Sequence, residues 1–214
     1  MGNLSDPKTI VATLVAFVVA ITIHEFSHAW SALMLGDTTA EHQGRVTLNP
    51  LSHLDPLGSI GLLAVIFLGF GIGWGRPVPV NPSRLKWHQR GMAITSLAGP
   101  LSNIIVAALL VIPLRLGSLE AGTTAYLFVR QLVLVNILLA AFNFIPIPPL
   151  DGSKILVGLL PRFWLPYLAP IERYGMMILL GLILFGSIGA VVLQSMYQPV
   201  YDTLTHLIVG ARPI

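Results

Sequence analysis

The sequence predicts an all-α polytopic membrane protein, on three observations. Of its 214 residues, 55% are hydrophobic and only 10% are charged, and the mean hydropathy is +0.81. Soluble domains carry about 25% charged residues, so these charges are too few to cover a water-facing surface. The apolar residues form long runs, and at about 20 residues per crossing they predict about four spanning helices. We expect one membrane-embedded domain over residues 1–214, with its core at 7–160 and a C-terminal helix and tail at 161–214.

Charge and cysteine content narrow the classes of function. The formal net charge is +3 and the pI is about 9.5. The basic residues flank apolar segments, so they are best explained by the orientation of the chain in the membrane. We therefore expect no nucleic-acid partner. The chain has no cysteine, so any metal would need histidine, aspartate or glutamate ligands. We expect no cleaved signal peptide, because the first apolar run ends in His24-Glu25 and not in small residues.

The first predicted helix spans residues 7–35. Asp6, followed by a proline, is suited to cap its N-terminus. Residues 10–23 are apolar apart from two threonines. Gly36 marks the C-terminal end of the helix.

The chain after this helix departs from a plain helical pattern. Residues 44–49 alternate between polar and apolar types, which predicts a short strand in a β-hairpin-like element near the candidate site. Residues 57–74 are apolar but contain five glycines, so they are weak candidates for an ordinary spanning helix. Residues 75–90 hold four basic residues and no acidic residue.

Three further apolar runs predict spanning helices at residues 91–114, 124–145 and 174–193. A cluster of prolines stops the second of these, and residues 151–160 then form a short helix. The tail from residue 194 is weakly amphipathic, so we expect it to lie at the membrane interface.

The motif that indicates metal binding and catalysis is His24-Glu25-Phe26-Ser27-His28, near the end of the first predicted helix. Residues four apart lie on one face of a helix, so both imidazoles can reach one Zn²⁺. Glu25 projects beside that face, where it can act as general base on water activated by the metal. The alternative is a structural polar cluster between helices. However, three ionisable residues within a membrane helix are costly and by default indicate function.

A catalytic zinc needs a third protein ligand and an open position. Asp151 is our choice, because it follows a spanning helix beside proline-rich backbone that must line a cavity or be buried. The alternative is that Asp151 caps the next helix. His53 is the rival ligand, although it is also explained as an interfacial histidine in a turn. The full set of candidates is Asp37, Glu41, His42, His53, Asp55 and Asp151.

Three motifs in order resemble the site-2 protease family of intramembrane zinc metalloproteases. They are HEFSH at 24–28, AGPLSN at 98–103 and NFIPIPPLDG at 143–152. In addition, GRVTLNPLSHLDPLGS at 44–59 resembles the compact bacterial and archaeal branch.

The resemblance implies a set of site residues. His24, His28 and Asp151 would bind one zinc ion per chain, and Glu25 would be the catalytic base. Asn103 would make substrate or oxyanion contacts, and Asn143 would position the site. The alternative for both asparagines is hydrogen bonding between helices.

The resemblance also implies an activity. The chain would hydrolyse transmembrane protein substrates in regulated intramembrane proteolysis, within the lipid bilayer of a prokaryotic cell membrane. No PDZ or CBS module is encoded in the sequence. The alternative functions are a membrane metal transporter or metal sensor, whose ligands also lie in membrane helices, and a scaffold with a vestigial site. The oligomeric state stays open, a homo-oligomer included.

Charge predicts the orientation of the site. Positive-inside reasoning places residues 75–90 in the cytoplasm, so helix 91–114 runs outward and helix 124–145 returns. Asp151 then lies near the cytoplasmic face, and His24 must lie at the same depth to share its metal. Both flanks of residues 57–74 are therefore cytoplasmic, which predicts a re-entrant element. The alternative is an ordinary spanning helix, which would rule out Asp151 as the ligand unless the charge rule fails.

Helix length predicts the depth of the metal. The apolar run at residues 10–23 is about 21 Å long at 1.5 Å per residue. The hydrocarbon core is about 30 Å thick, so the zinc would lie about 9 Å inside the cytoplasmic boundary. Hydrolysis there needs a polar cleft that opens to the cytoplasm.

Overall fold

The computed structural model describes residues 6–68 and 73–210. This part of the chain folds into helices joined by turns and extended segments. The helices are α1 Pro7–Met34, α2 Thr39–His42, α3 Pro56–Leu68, α4 Gln89–Arg115, α5 Thr124–Asn143, α6 Asp151–Leu159, α7 Leu165–Leu184 and α8 Gly186–Val209, with 3₁₀ turns at Pro50–Ser52 and Arg162–Trp164.

Four of the described helices, α1, α4, α5 and α7, are long and apolar enough to cross a membrane. This confirms the predicted number of spanning helices and fits a membrane protein. Asp6 caps α1 as expected, because its carboxylate accepts hydrogen bonds from the backbone N–H groups of Lys8 and Thr9.

The core of the fold is the packing of α1, α4 and α5 against one another, with α6 on α4. Small residues such as Ala16 and Ala20 let α1 approach α5 closely, where Val135 completes the cluster. A second cluster joins α4 and α5 to the C-terminal end of α8, through Ile208 and Val209.

Helix α4 shows how polarity is distributed in this fold. One face of α4 is buried and includes a polar residue. The residues of this face are Asn103, Ala107, Val111 and Leu114. The opposite face carries large apolar side chains that are 45–60% exposed, namely Leu101, Ile105, Leu109 and Ile112. A polar group inside and large apolar groups outside is the arrangement expected of a helix surrounded by lipid.

The predicted strand at residues 44–49 is wrong. Residues 6–68 and 73–210 contain no strand, and only an isolated antiparallel bridge joins Leu54 to Gly75. Local side chains take the backbone groups that a strand partner would need. The ring of His53 hydrogen-bonds the Thr47 carbonyl at 2.7 Å, and the Thr47 hydroxyl accepts the N–H of Asn49 at 3.1 Å.

The two flanks of the glycine-rich segment lie beside each other. The part described before residue 69 is α3, which has 13 residues and is about 20 Å long. The bridge between Leu54 and Gly75 ties the two flanks together, and the N–H of Arg76 donates to the carbonyl of His53 at 2.7 Å. Gly58 lets the returning chain approach, because a Cβ there would lie 2.0 Å from the Trp74 carbonyl oxygen. Two of the five glycines, at 69 and 71, lie outside the described residues.

The predicted helix at 174–193 is divided in the structure. It ends as α7 at Leu184, and α8 starts at Gly186, whose φ of +59° is a left-handed conformation that favours glycine. Residues 194–209 continue α8 and are not a separate helix. The other predicted helices agree with α1, α4, α5 and α6 to within two residues at each end.

Candidate active site

Two imidazoles and one carboxylate meet between α1, α4 and the start of α6. The Nε2 atoms of His24 and His28 are 3.1 Å apart, and Oδ2 of Asp151 lies 3.0 Å from each. All three side chains are buried, at 2%, 7% and 6% exposure. The three residues predicted to share a metal are therefore brought together, across 123 residues of sequence.

Hydrogen bonds on the far side of each ring indicate the tautomer. Nδ1 of His24 lies 2.7 Å from Oδ1 of Asn103, and Nδ1 of His28 lies 2.7 Å from the carbonyl oxygen of Thr95. Both partners are acceptors, so we assign a proton to each Nδ1. Each Nε2 then presents its lone pair to the centre of the site, as a metal-binding histidine does.

This donor set fits a zinc ion. A carboxylate oxygen of Asp151 and the Nε2 lone pairs of His24 and His28 converge within 4.8 Å. Three such groups repel one another unless a cation lies between them, and two histidines plus one carboxylate form a known catalytic zinc set.

The rival ligand candidates lie elsewhere and have other partners. His53 is fully buried but bonds the Thr47 carbonyl, and Asp55 accepts the N–H of Gly58 at 2.8 Å near the start of α3. His42 bonds the Thr38 carbonyl at 2.7 Å. Neither these three residues nor Asp37 and Glu41 belong to the metal-ligand group found among the described residues.

Asp37 instead anchors a loop beside the site. Its buried carboxylate accepts the N–H of Asn81 at 2.6 Å and the N–H of Thr39 at 3.0 Å. Burial raises the pKa of Asp37, but these hydrogen bonds outweigh burial and lower the pKa below its ordinary value. Asp37 therefore ties the end of α1 to the extended chain that precedes Asn81.

That extended chain holds Glu25. Oε2 of Glu25 accepts the backbone N–H of Val78 at 3.1 Å. Glu25 is 8% exposed and lines a cavity of about 160 Å³ together with His24, His28 and Asp151. The carboxylate of Glu25 thus lines the same cavity as the three candidate ligands.

One face of α7 contributes apolar side chains to the cavity lining. They belong to Met176, Leu179, Leu180 and Ile183. Asn143, at the end of α5, also lines the cavity, and its Nδ2 donates to the Leu139 carbonyl at 3.0 Å.

Asn103 is fully buried and lies outside this cavity lining. Its Oδ1 accepts from His24, and its Nδ2 donates to the Ala20 carbonyl at 3.1 Å and to Oδ1 of Asn136 at 2.8 Å. An amide nitrogen has two N–H groups, so both donors of Asn103 are engaged. The predicted substrate contact of Asn103 stays a prediction, whereas the alternative of hydrogen bonding between helices is what these contacts describe.

Sequence reasoning missed the face of α4 that supports the histidines. Thr95, Gly99 and Asn103 lie four residues apart, so they share one face of the helix. A Cβ at Gly99 would lie 2.4 Å from Nε2 of His28 and 2.7 Å from Cε1 of His24. Only a glycine lets α4 approach the ligands this closely, and the glycine of the AGPLSN motif was the available signal.

Relatives of known name share most of this chain. It is 37% identical to YwhC of Bacillus subtilis, over 91% of this chain and 89% of the relative. It is 29% identical to Rip2 of Mycolicibacterium smegmatis, over 91% of this chain and 74% of the relative. It is 31% identical to Rip2 of Mycobacterium tuberculosis, over 81% of this chain and 67% of the relative. All three are candidate zinc metalloproteases by name.

No protein-family model matches the chain, and no solved structure gives a significant match. The extent and identity of the match to YwhC nevertheless establish kinship, and the converging His24, His28 and Asp151 supply the zinc-type ligands that such a protease requires. The chain belongs to the family of zinc metalloproteases that includes YwhC and Rip2.

Proposed function

We propose that this protein is an intramembrane zinc metalloprotease of the site-2 type, which hydrolyses peptide bonds of transmembrane proteins in regulated intramembrane proteolysis. The observation that carries the proposal is the position of the ligand group. His24 and His28 lie within a helix long and apolar enough to cross a membrane, and Asp151 follows another such helix. A soluble substrate would not need a site built into such helices.

The residues that would hold the metal are His24, His28 and Asp151, with one zinc ion per chain. When bound, zinc lowers the pKa of water to about 7 and polarises a carbonyl group. The chain's own contribution is to orient the ligands: Asn103 and Thr95 fix the two rings, and burial excludes competing water.

Glu25 is the general base in this proposal. The hydrogen bond from the Val78 N–H fixes one carboxylate oxygen of Glu25, Oε2. Glu25 takes a proton from the water that attacks the scissile carbonyl, and it then delivers a proton to the departing amine. Asn143 is proposed to position the substrate, since its side chain lines the same cavity.

We propose that the site opens toward the cytoplasm. Thr95, which holds His28, is the seventh residue of α4, about 9 Å along the axis from the first residue at 1.5 Å per residue. The basic residues that precede α4 favour the cytoplasmic side for its start, and this would place His28 nearer that side of the membrane.

A metal transporter or metal sensor is less well supported. Transport requires ligands spread along a path, whereas the ligand group found among the described residues gathers at one point. Transport also gives Glu25 no role, although this carboxylate lies in the same cavity as the ligands.

The test is cleavage of a transmembrane reporter by purified protein in liposomes, together with zinc analysis. Wild type is expected to contain about one zinc ion and to cleave. Glu25→Gln is expected to keep the zinc and to lose cleavage at least 100-fold, the lower range for general base catalysis. Glu41→Gln, which neutralises an exposed glutamate on α2, is the matched control and should cleave normally. Wild-type turnover by Glu25→Gln, or zinc-dependent uptake into liposomes without cleavage, would contradict the proposal.

A further inference from the structure

Lys154 lies one helical turn after Asp151, on α6. Its Nζ is 4.0 Å from Oδ1 of Asp151, which is the carboxylate oxygen that does not face the histidines. Lys154 also lines the catalytic cavity, and it is the one lysine or arginine among the described residues that does so. The mechanism proposed above gives this cation no role.

A second, larger cavity of about 500 Å³ lies beside the catalytic one. The two cavities share three lining residues, Met92, Pro149 and Lys154. The wall of the second cavity includes polar side chains, among them those of Gln89 and Glu172. Lys154 therefore stands at the boundary between the two cavities.

We propose that Lys154 binds the carboxylate that peptide hydrolysis creates on the acyl-side fragment. This inference rests on the proposed proteolytic function. Hydrolysis breaks the C–N bond and forms a C–O bond. One proton of the attacking water passes through Glu25 to the departing nitrogen, and the second passes to the resulting amine, which leaves as an ammonium group, so the acyl fragment ends in a carboxylate. The cavity lining is mostly apolar, and Lys154 is the one lysine or arginine among its described lining residues, so it is the available cationic partner for such an anion. Lys154 has Asp151 as its neighbour at rest and can turn from it to the new carboxylate.

The probe is a pair of short acetylated apolar peptides, one ending in a free carboxylate and the other in a carboxamide. Their binding is measured on zinc-loaded Glu25→Gln protein, so that no turnover interferes. The carboxylate peptide should bind more tightly than the amide. Adding Lys154→Met should weaken binding of the carboxylate peptide about 10-fold, the effect of one charge-assisted hydrogen bond. Binding of the amide should stay unchanged.

Two further variants control for charge and for structure. Lys154→Arg keeps the cation and should retain most of the preference for the carboxylate peptide. Lys86→Met removes a positive charge from an exposed residue outside both cavities and should change neither affinity.

An unchanged preference in the Lys154→Met protein would overturn the inference. A Lys154→Met protein that loses zinc but still prefers the carboxylate peptide over the amide would also overturn it, because Lys154 would then act only on Asp151. Wild-type cleavage of the reporter is measured in parallel. A wild type that does not cleave is a failure of the proposed function, whereas a cleaving wild type with an unchanged preference in Lys154→Met rejects this inference alone.

Discussion

Oδ1 of Asn103 on α4 lies 2.7 Å from Nδ1 of His24 on α1, and this contact joins the candidate zinc ligand to the helix that supports it. The amide is held in turn by Ala20 and Asn136. Partners of this kind fix the orientation of a ligand ring, and their loss typically costs 10–100-fold in metal affinity or activity.

Asn103→Leu should therefore weaken zinc binding about 10–100-fold. The substitution removes the acceptor for the ring N–H of His24 and leaves that donor buried without a partner. Zinc affinity is measured by competition with a chelator of known affinity. Asn143→Leu is the comparison, because Asn143 lines the cavity without contacting either histidine in the described hydrogen bonds. It should alter cleavage and leave zinc affinity unchanged, and equal zinc losses in both variants would count against the assignment.

Gly99→Ala should abolish most zinc binding. The added Cβ would lie 2.4 Å from Nε2 of His28, so either the ring or α4 must shift. In a helix interior alanine is otherwise favoured over glycine by about 1 kcal/mol, so a loss cannot come from helix propensity. Zinc content and thermal unfolding of the purified variant check this expectation.

Gly181→Ala is the matched control for that prediction. Gly181 also lies within a helix, but a Cβ there would meet no atom within 4 Å. It should keep both zinc and cleavage. Normal zinc content in Gly99→Ala would show that the close approach of α4 to the histidines is not required.

The contacts between Leu54 and Gly75 and between His53 and Arg76 predict the topology of the glycine-rich segment. If α3 enters and returns without crossing, residues 43 and 83 lie on the same side of the membrane. The chain has no cysteine, so single cysteines can be placed at Gln43, Ser83 and Ser118, all of them exposed. Ser118 follows α4 and serves as the marker for the opposite side.

A membrane-impermeant maleimide applied to intact cells should label Ser118→Cys and leave the other two unlabelled. Inverted vesicles should give the reverse pattern. Labelling of Gln43→Cys and Ser83→Cys from opposite sides would mean that residues between them cross the membrane, and the proposed orientation would fail.

Much of the helical fold and the pairing of His24 with His28 could be predicted from the sequence because they depend on local pattern. Asp151 lies 123 residues after His28, and it was predicted from its place beside proline-rich backbone and from the family resemblance. Apolar runs of about 20 residues indicate spanning helices. The spacing of His24 and His28 places both rings on one face of a helix wherever that helix packs.

The features that sequence reasoning missed depend on packing between distant segments. Residues 44–49 alternate like a strand, but His53 takes the Thr47 carbonyl, which no count of apolar positions reveals. The break between α7 and α8 depends on the backbone of one residue, Gly186, within an apolar run. The support that Thr95 and Gly99 give to the histidines follows only once α4 is placed against α1.

The most direct measurement is zinc analysis with X-ray absorption spectroscopy on wild type, Asp151→Asn and Asp202→Asn. Asp202 is exposed on α8 and controls for the loss of one carboxylate. Wild type and Asp202→Asn should each contain about one zinc ion, with nitrogen and oxygen ligands at about 2.0–2.2 Å that include two imidazoles. Asp151→Asn should lose most of its zinc. Full zinc occupancy with an unchanged spectrum in Asp151→Asn would contradict the shared site.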